Sequence, residues 1–197
     1  MKLLGLTGSI GMGKSTAAAM FRAAGVPVFD ADAAVHRLIG PGGAALEAIG
    51  QAFPDMVGGN GVDREKLGAH VFGDAAAKAR LEAILHPMVE GARRRWLARQ
   101  RRQRAPLVVL DIPLLYETGG AARCDAVAVV SASSRLQRAR VLARPGMTEA
   151  KFAAILAAQL PDADKRRRAD YVIRSGLGRR VAREDVRRII HSMTYGK

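Results

Sequence analysis

The sequence predicts an α/β fold of three layers, a central parallel sheet with helices on both faces. Three observations predict it. Short apolar runs alternate with stretches of helical periodicity, the pattern of strand–helix–strand units. The glycine-rich segment Gly8-Ser9-Ile10-Gly11-Met12-Gly13-Lys14-Ser15 joins the first apolar run to the first helical stretch and fits G-x-x-x-x-G-K-[ST]. Aspartates Asp30, Asp32 and Asp111 follow apolar runs, which puts them at the carboxyl ends of strands, where open sheets gather ligands.

Taken in order, Leu3-Leu4-Gly5-Leu6 reads as a short buried strand and Ser15 to Ala24 as the helix after the loop. The glycines let the backbone turn tightly, so that several N–H groups can face phosphate oxygens, and the helix N-terminus favours anions. Lys14 can reach the β- and γ-phosphates, and the Ser15 hydroxyl suits Mg²⁺. Gly8, Gly11, Met12, Gly13, Lys14, Ser15 and Thr16 are therefore expected to bind a nucleoside triphosphate. A dinucleotide fingerprint would need a third glycine at position 16, where Thr16 stands, and has no use for Lys14-Ser15.

Val26-Pro27-Val28-Phe29 is expected to be the second strand, ending at Asp30, and Asp32 has the chemistry of a helix N-cap before Ala33-Ala34-Val35. From about 42 to 104 the chain reads as helices only. Leu81, Ile84, Leu85, Met88, Val89, Ala92 and Trp96 form an amphipathic stripe that Pro87 is expected to bend or divide. Leu107-Val108-Val109-Leu110 is a central buried strand ending at Asp111, and Ala126 to Val130 and Tyr171-Val172-Ile173 are two more. A second, arginine-rich helical insertion fills about 134–169. The first insertion reads as a substrate-holding subdomain and the second as a lid.

At 197 residues and 49% hydrophobic, the chain is expected to be one compact unit with a real core. No apolar run approaches the ~18 residues of a membrane span. The first strand begins at once, so no signal peptide is expected. Cys124 is the sole cysteine, which leaves no internal disulfide and no cysteine metal cluster. A reducing cytoplasm is the expected location. Lys and Arg number 32 against 18 Asp and Glu, a net charge of +14, with arginines bunched at Arg93-Arg94-Arg95, Arg166-Arg167-Arg168 and Arg187-Arg188. Such a field attracts polyanions. No helix-turn-helix, zinc-finger or aromatic RNA-binding signature accompanies it, so the arginines read as solvated faces around an enzyme with anionic substrates, and nucleic acid is not expected as a partner.

With these pieces together the chain resembles the dephospho-CoA kinase family, nearly end to end. The resemblance is carried by Gly5-Leu6-Thr7-Gly8…Lys14-Ser15-Thr16, Asp30-Ala31-Asp32, Gly61-Val62-Asp63-Arg64…Val71-Phe72, Ile84-Leu85-His86-Pro87, Asp111-Ile112-Pro113-Leu114-Leu115-Tyr116-Glu117, Gln137…Arg140…Arg144 and Ala169-Asp170-Tyr171-Val172-Ile173. The loop is common to all phosphate-loop proteins; the combination at these distances is specific. It implies a P-loop kinase fold over the whole chain, with a helical CoA-binding subdomain at about 42–104 and a lid at about 134–169. The reaction implied is phosphoryl transfer from ATP to the ribose 3′-hydroxyl of dephospho-CoA, the last step of coenzyme A synthesis, with Mg²⁺.

The resemblance makes Lys14, Asp32 and Arg140 the catalytic group, with Asp32 accepting or orienting the 3′-hydroxyl proton. Ser15 and Asp111 serve Mg²⁺, the latter through water. Arg140 and Arg144, one helical turn apart, share a face that closes over the nucleotide. His86 belongs to a substrate-binding element, where packing at a helix bend is its other reading. Two rival functions are another small-molecule kinase and a nucleic-acid-stimulated ATPase. Three positions depart from the family pattern: Ser9 stands where glycine is usual, His36 where arginine is common, and Arg174-Ser175-Gly176 where an asparagine-containing turn is usual.

Overall fold

A computed structural model of the chain describes residues 1–196. The strands are β1 (Lys2–Thr7), β2 (Val28–Asp30), β3 (Val57–Gly58), β4 (Gly61–Val62), β5 (Leu107–Asp111), β6 (Ala126–Ser131) and β7 (Tyr171–Arg174). The helices are α1 (Lys14–Ala23), α2 (Ala31–Ile39), α3 (Leu46–Ala52), α4 (Arg64–Val71), α5 (Ala75–Arg102), α6 (Ser134–Leu142), α7 (Glu149–Ala157), α8 (Asp162–Arg168) and α9 (Arg179–Tyr195). Five strands make the main sheet in the order β2-β5-β1-β6-β7. β1 pairs in parallel with β5 and β6, and β6 with β7.

Strands buried on both faces need apolar residues at every position, which explains the unbroken runs at Leu107 and Ala126. Alternate residues then serve opposite faces. Leu4, Leu6, Val109, Ala128 and Val130 pack with Phe21 of α1 and with Val186 and Ile189 of α9, while Val127 and Val129 pack on the other face with Leu115. α9 has no counterpart in the sequence reading. It buries Ala182, Val186, Ile189 and Met193 at helical spacing, and the three larger side chains contribute about 1.5–3 kcal/mol each.

The structure corrects three sequence expectations. β2 starts at Val28 and not Val26, because Pro27 has no N–H to offer and contributes only its carbonyl, which accepts from Val109 N at 2.9 Å. The stretch at about 42–104 is not helices only: β3 and β4 form a small antiparallel pair joined across Gly58 and Gly61. Pro87 does not divide α5, which runs unbroken through it. Leu81, Ile84 and Leu85 before the proline and Met88 after it all pack on one apolar cluster, and that packing outweighs the single lost hydrogen bond.

By internal contacts the chain forms two compact units, Met1–Phe29 with the chain from Gln100 on, and Asp30–Arg99. The first holds the sheet, α1 and the segments α6 to α9. The second has its own core around Ile39, Ala45, Ile49, Phe53, Val62 and Leu67.

Candidate active site

The loop between β1 and α1 owes its path to two glycines. Gly11 (φ +76°) and Gly13 (φ +89°) both lie in the left-handed region, which side chains resist. A Cβ on Gly11 would also stand 2.5 Å from Val141 Cγ2. Met12 N closes the turn onto Ser9 O at 3.1 Å. The Met12 side chain is buried, and its Sδ accepts from Ala132 N at 3.1 Å, so its part in the loop is an anchor to the end of β6. Any contact with nucleotide falls to its backbone. The segment at about 134–169 braces the loop as well: Gln137 Nε2 donates to Ile10 O at 2.8 Å, and Ile10 N donates to Gln159 Oε1 at 3.1 Å.

Lys14 opens α1, and its Nζ lies 2.5 Å from Asp111 Oδ1. The strand register explains the meeting, since Asp111 at the end of β5 stands opposite Leu6 near the end of β1. On the other side of the loop, Arg140 of α6 donates from Nη1 to Ser175 Oγ (3.2 Å) and Gly11 O (3.4 Å), and from Nη2 to Ser175 O (3.2 Å). A cavity of about 450 Å³ opens here, lined by Gly13, Ser15, Thr16, Arg140, Arg144 and Ser175 among others. Its size suits a small-molecule ligand. A larger groove of about 720 Å³ between α1 and α9 shares Ser15 and Thr16 but has neither Gly13 nor Arg140 on its wall, so the loop chemistry belongs to the smaller cavity.

Arg140 and Arg144 do not share a helix, contrary to expectation. α6 ends at Leu142, because Pro145 cannot continue it and restricts the residue before it. Arg144 N still bonds to Val141 O at 3.1 Å, which keeps both guanidinium groups on one cavity. The cap of α2 is a second correction. Asp30, not Asp32, is the N-cap, its Oδ1 accepting from Ala33 N at 2.9 Å, because the strand hands over to the helix two residues earlier than the sequence suggested. Asp32 sits exposed in the first turn with no hydrogen bond or ion pair among the described residues. His86 lies on α5 in the second unit, exposed and outside the packed stripe, so it does not pack at a helix bend.

Two carboxylates paired with cations, Glu117 and the buried Asp185, fix the surroundings. Burial pushes the Glu117 carboxyl up, but Lys165, whose Nζ is fully buried 2.9 Å away, and the Leu160 amide outweigh it and hold the acid below its ordinary value. Asp185 on α9 behaves alike: burial raises it, and Arg174 and Arg188 more than offset that. Gln159, Lys165 and the Ser175 side chain were not singled out from sequence. Their partners lie in distant segments, and no local pattern points to them.

The dephospho-CoA kinase family matches residues 2–180. The chain belongs to the dephospho-CoA kinase family. It is 65% identical over 166 residues to the dephospho-CoA kinase of Paramagnetospirillum magneticum, covering 84% of this chain and 78% of that one. To the dephospho-CoA kinase of Mesorhizobium japonicum it is 57% identical over 193 residues, covering 98% and 97%. A crystal structure of TT1252 from Thermus thermophilus superposes with a TM-score of 0.84 at 36% identity, covering 97% of this chain and 96% of that one. The fold is that of the P-loop kinases, and the activity is the family's, ATP-dependent phosphorylation of dephospho-CoA in coenzyme A biosynthesis. Among the described residues no helix is long and apolar enough to cross a membrane.

Proposed function

We propose that ATP occupies the cavity between the phosphate loop and Arg140, and that its γ-phosphoryl group passes to the ribose 3′-hydroxyl of dephospho-CoA. One observation carries this reading: Arg140 reaches Gly11 of the loop and lines one cavity with Gly13, Ser15, Thr16 and Arg144. Phosphoryl transfer has a loose transition state whose charge sits on phosphate oxygens, so the protein's work is positioning and neutralisation. Gly8, Gly11 and Gly13 shape the loop for the phosphates. Lys14 and Arg140 offset charge as it develops, and Arg144 clamps the nucleotide. Asp32, whose carboxylate has no hydrogen-bond or ion-pair partner among the described residues, accepts or orients the 3′-hydroxyl proton. Its unit, with His86, holds the acceptor, and the segment at about 134–169 acts as a lid that excludes water.

The donor set suits Mg²⁺. Ser15 offers an exposed hydroxyl on the cavity wall and Asp111 a carboxylate at the strand end, hard oxygens of the kind that hold this ion through one or two protein ligands, water and phosphate. When bound, the ion neutralises phosphate charge. The arginine-rich surface serves anionic small molecules rather than nucleic acid, and the enzyme works in the cytoplasm.

The test is ADP release with Mg²⁺ and ATP in the presence of dephospho-CoA, AMP or adenosine. Release should depend on dephospho-CoA, with the new phosphate on the 3′-oxygen. Equal rates with AMP, or hydrolysis driven by added RNA or DNA, would overturn the reading.

A further inference from the structure

The turn after β7 is one of three places where the chain departs from the family pattern, and its serine meets both the phosphate loop and Arg140. Ser175 Oγ donates to Met12 O at 2.5 Å. The same oxygen accepts from Arg140 Nη1 at 3.2 Å, and the Ser175 carbonyl accepts from Nη2 at 3.2 Å. A hydroxyl has one proton and two lone pairs, so donating to the loop leaves it free to receive the arginine. Ser131 O, at 3.3 Å, is a weaker claimant for that proton. Gly13 leaves room for this grip, since a Cβ there would stand 3.3 Å from Ser175 Oγ.

The turn itself is held from behind. Asp185, buried on α9, accepts from Arg174 N at 3.0 Å and from the Arg174 guanidinium at Nε (3.0 Å) and Nη2 (2.7 Å). Arg174 is thus committed to Asp185, and Ser175, next in the chain, is presented to the loop.

We propose that Ser175 is a positioning residue for phosphoryl transfer: its hydroxyl links the phosphate loop to Arg140 and sets the guanidinium where charge develops. The inference rests on the role assigned to Arg140 above. An arginine held by three contacts loses little freedom when the transition state forms. Without the hydroxyl, Nη1 keeps only its long contact to Gly11 O, and the guanidinium pivots on the single bond from Nη2 to the Ser175 carbonyl.

The experiment is a double-mutant cycle on the full chain, with kcat and KM for ATP measured for wild type, S175A, R140A and the double variant. S175A should lower kcat about tenfold, the scale of one hydrogen bond to a charged group, with KM for ATP changed less than about twofold. S175T, which keeps the hydroxyl, should restore most of the loss. In the R140A background, S175A should cost less than about twofold, because the group it positions is gone. A tenfold loss there as well, or failure of S175T to rescue while its circular dichroism matches wild type, would overturn the positioning role. Near-normal turnover of R140A would instead overturn the role of Arg140, and the inference with it.

Discussion

Lys14 Nζ and Asp111 Oδ1 form an ion pair of 2.5 Å whose carboxylate is only 4% exposed. The cation of the phosphate loop is therefore tied to the end of β5, and the loop and the neighbouring strand hold each other. An ammonium kept in place by a buried partner is oriented before substrate arrives, which is worth more in the transition state than a free one.

Lys14→Ala should abolish most turnover, by about 10²–10³-fold, and should also destabilise the fold by about 1–3 kcal/mol, since Asp111 loses a charged partner in a buried place. Steady-state kinetics and thermal unfolding measure the two effects. Turnover near normal would remove the lysine from the mechanism.

Asp30 and Asp32 should separate stability from chemistry. Asp30→Ala removes the cap of α2 and should cost about 1 kcal/mol of stability. Asp32→Asn leaves that cap intact and should lower kcat about 10²–10⁴-fold with little change in ATP affinity. A fully active Asp32→Asn variant would move the acceptor role elsewhere.

Hydrogen exchange across 134–169 should slow when ATP and Mg²⁺ are added. Gln137 and Gln159 already bond to Ile10 of the loop, so closing on phosphate would extend contacts that exist. Unchanged exchange in α6 to α8 would argue against a lid.

Asp185 makes stability depend on pH with a defined sign. Burial raises its pKa, and Arg174 and Arg188 lower it further than burial raises it, so the folded carboxyl titrates below its ordinary value of 3.8. A depressed folded value means that the unfolded chain binds the proton more readily. The contribution is therefore complete above the unfolded value and is lost as pH falls through the folded one. The stability gap between wild type and Asp185→Asn should be constant above about pH 5 and should narrow below about pH 4. Denaturant unfolding across that range measures it, and a gap that widens on acidification would contradict the assignment.

The strands and loop were legible because their signals are local. The runs at Leu107 and Ala126 are apolar at nearly every position, and Gly8 to Ser15 is a contiguous pattern. α9 escaped notice because its arginines dilute a stripe as regular as Ala182, Val186, Ile189 and Met193. β3 and β4 have two residues each, too few to show a period. The cap of α2 was misplaced by two residues, the scale on which helix ends are uncertain from sequence. Arg140 was visible through spacing and resemblance, but its partner was not. Ser175 meets it only when the chain folds, and a pattern read along the sequence records neighbours in order, not in space.

β1 is synthesised well before its sheet partners: Leu4 pairs with Val109 and Ala126, each more than one hundred residues downstream. A strand in that position gains nothing from its own vicinity, and pairing over such distances is slow. The nascent phosphate loop should therefore stay unformed until β6 has left the ribosome, so that nucleotide capture is among the last events of folding. Ribosome-arrested chains that stop before Ala126 should gain no protease resistance from ATP, whereas released full-length chains should. Protection of the short chains would show that the loop closes without its neighbours.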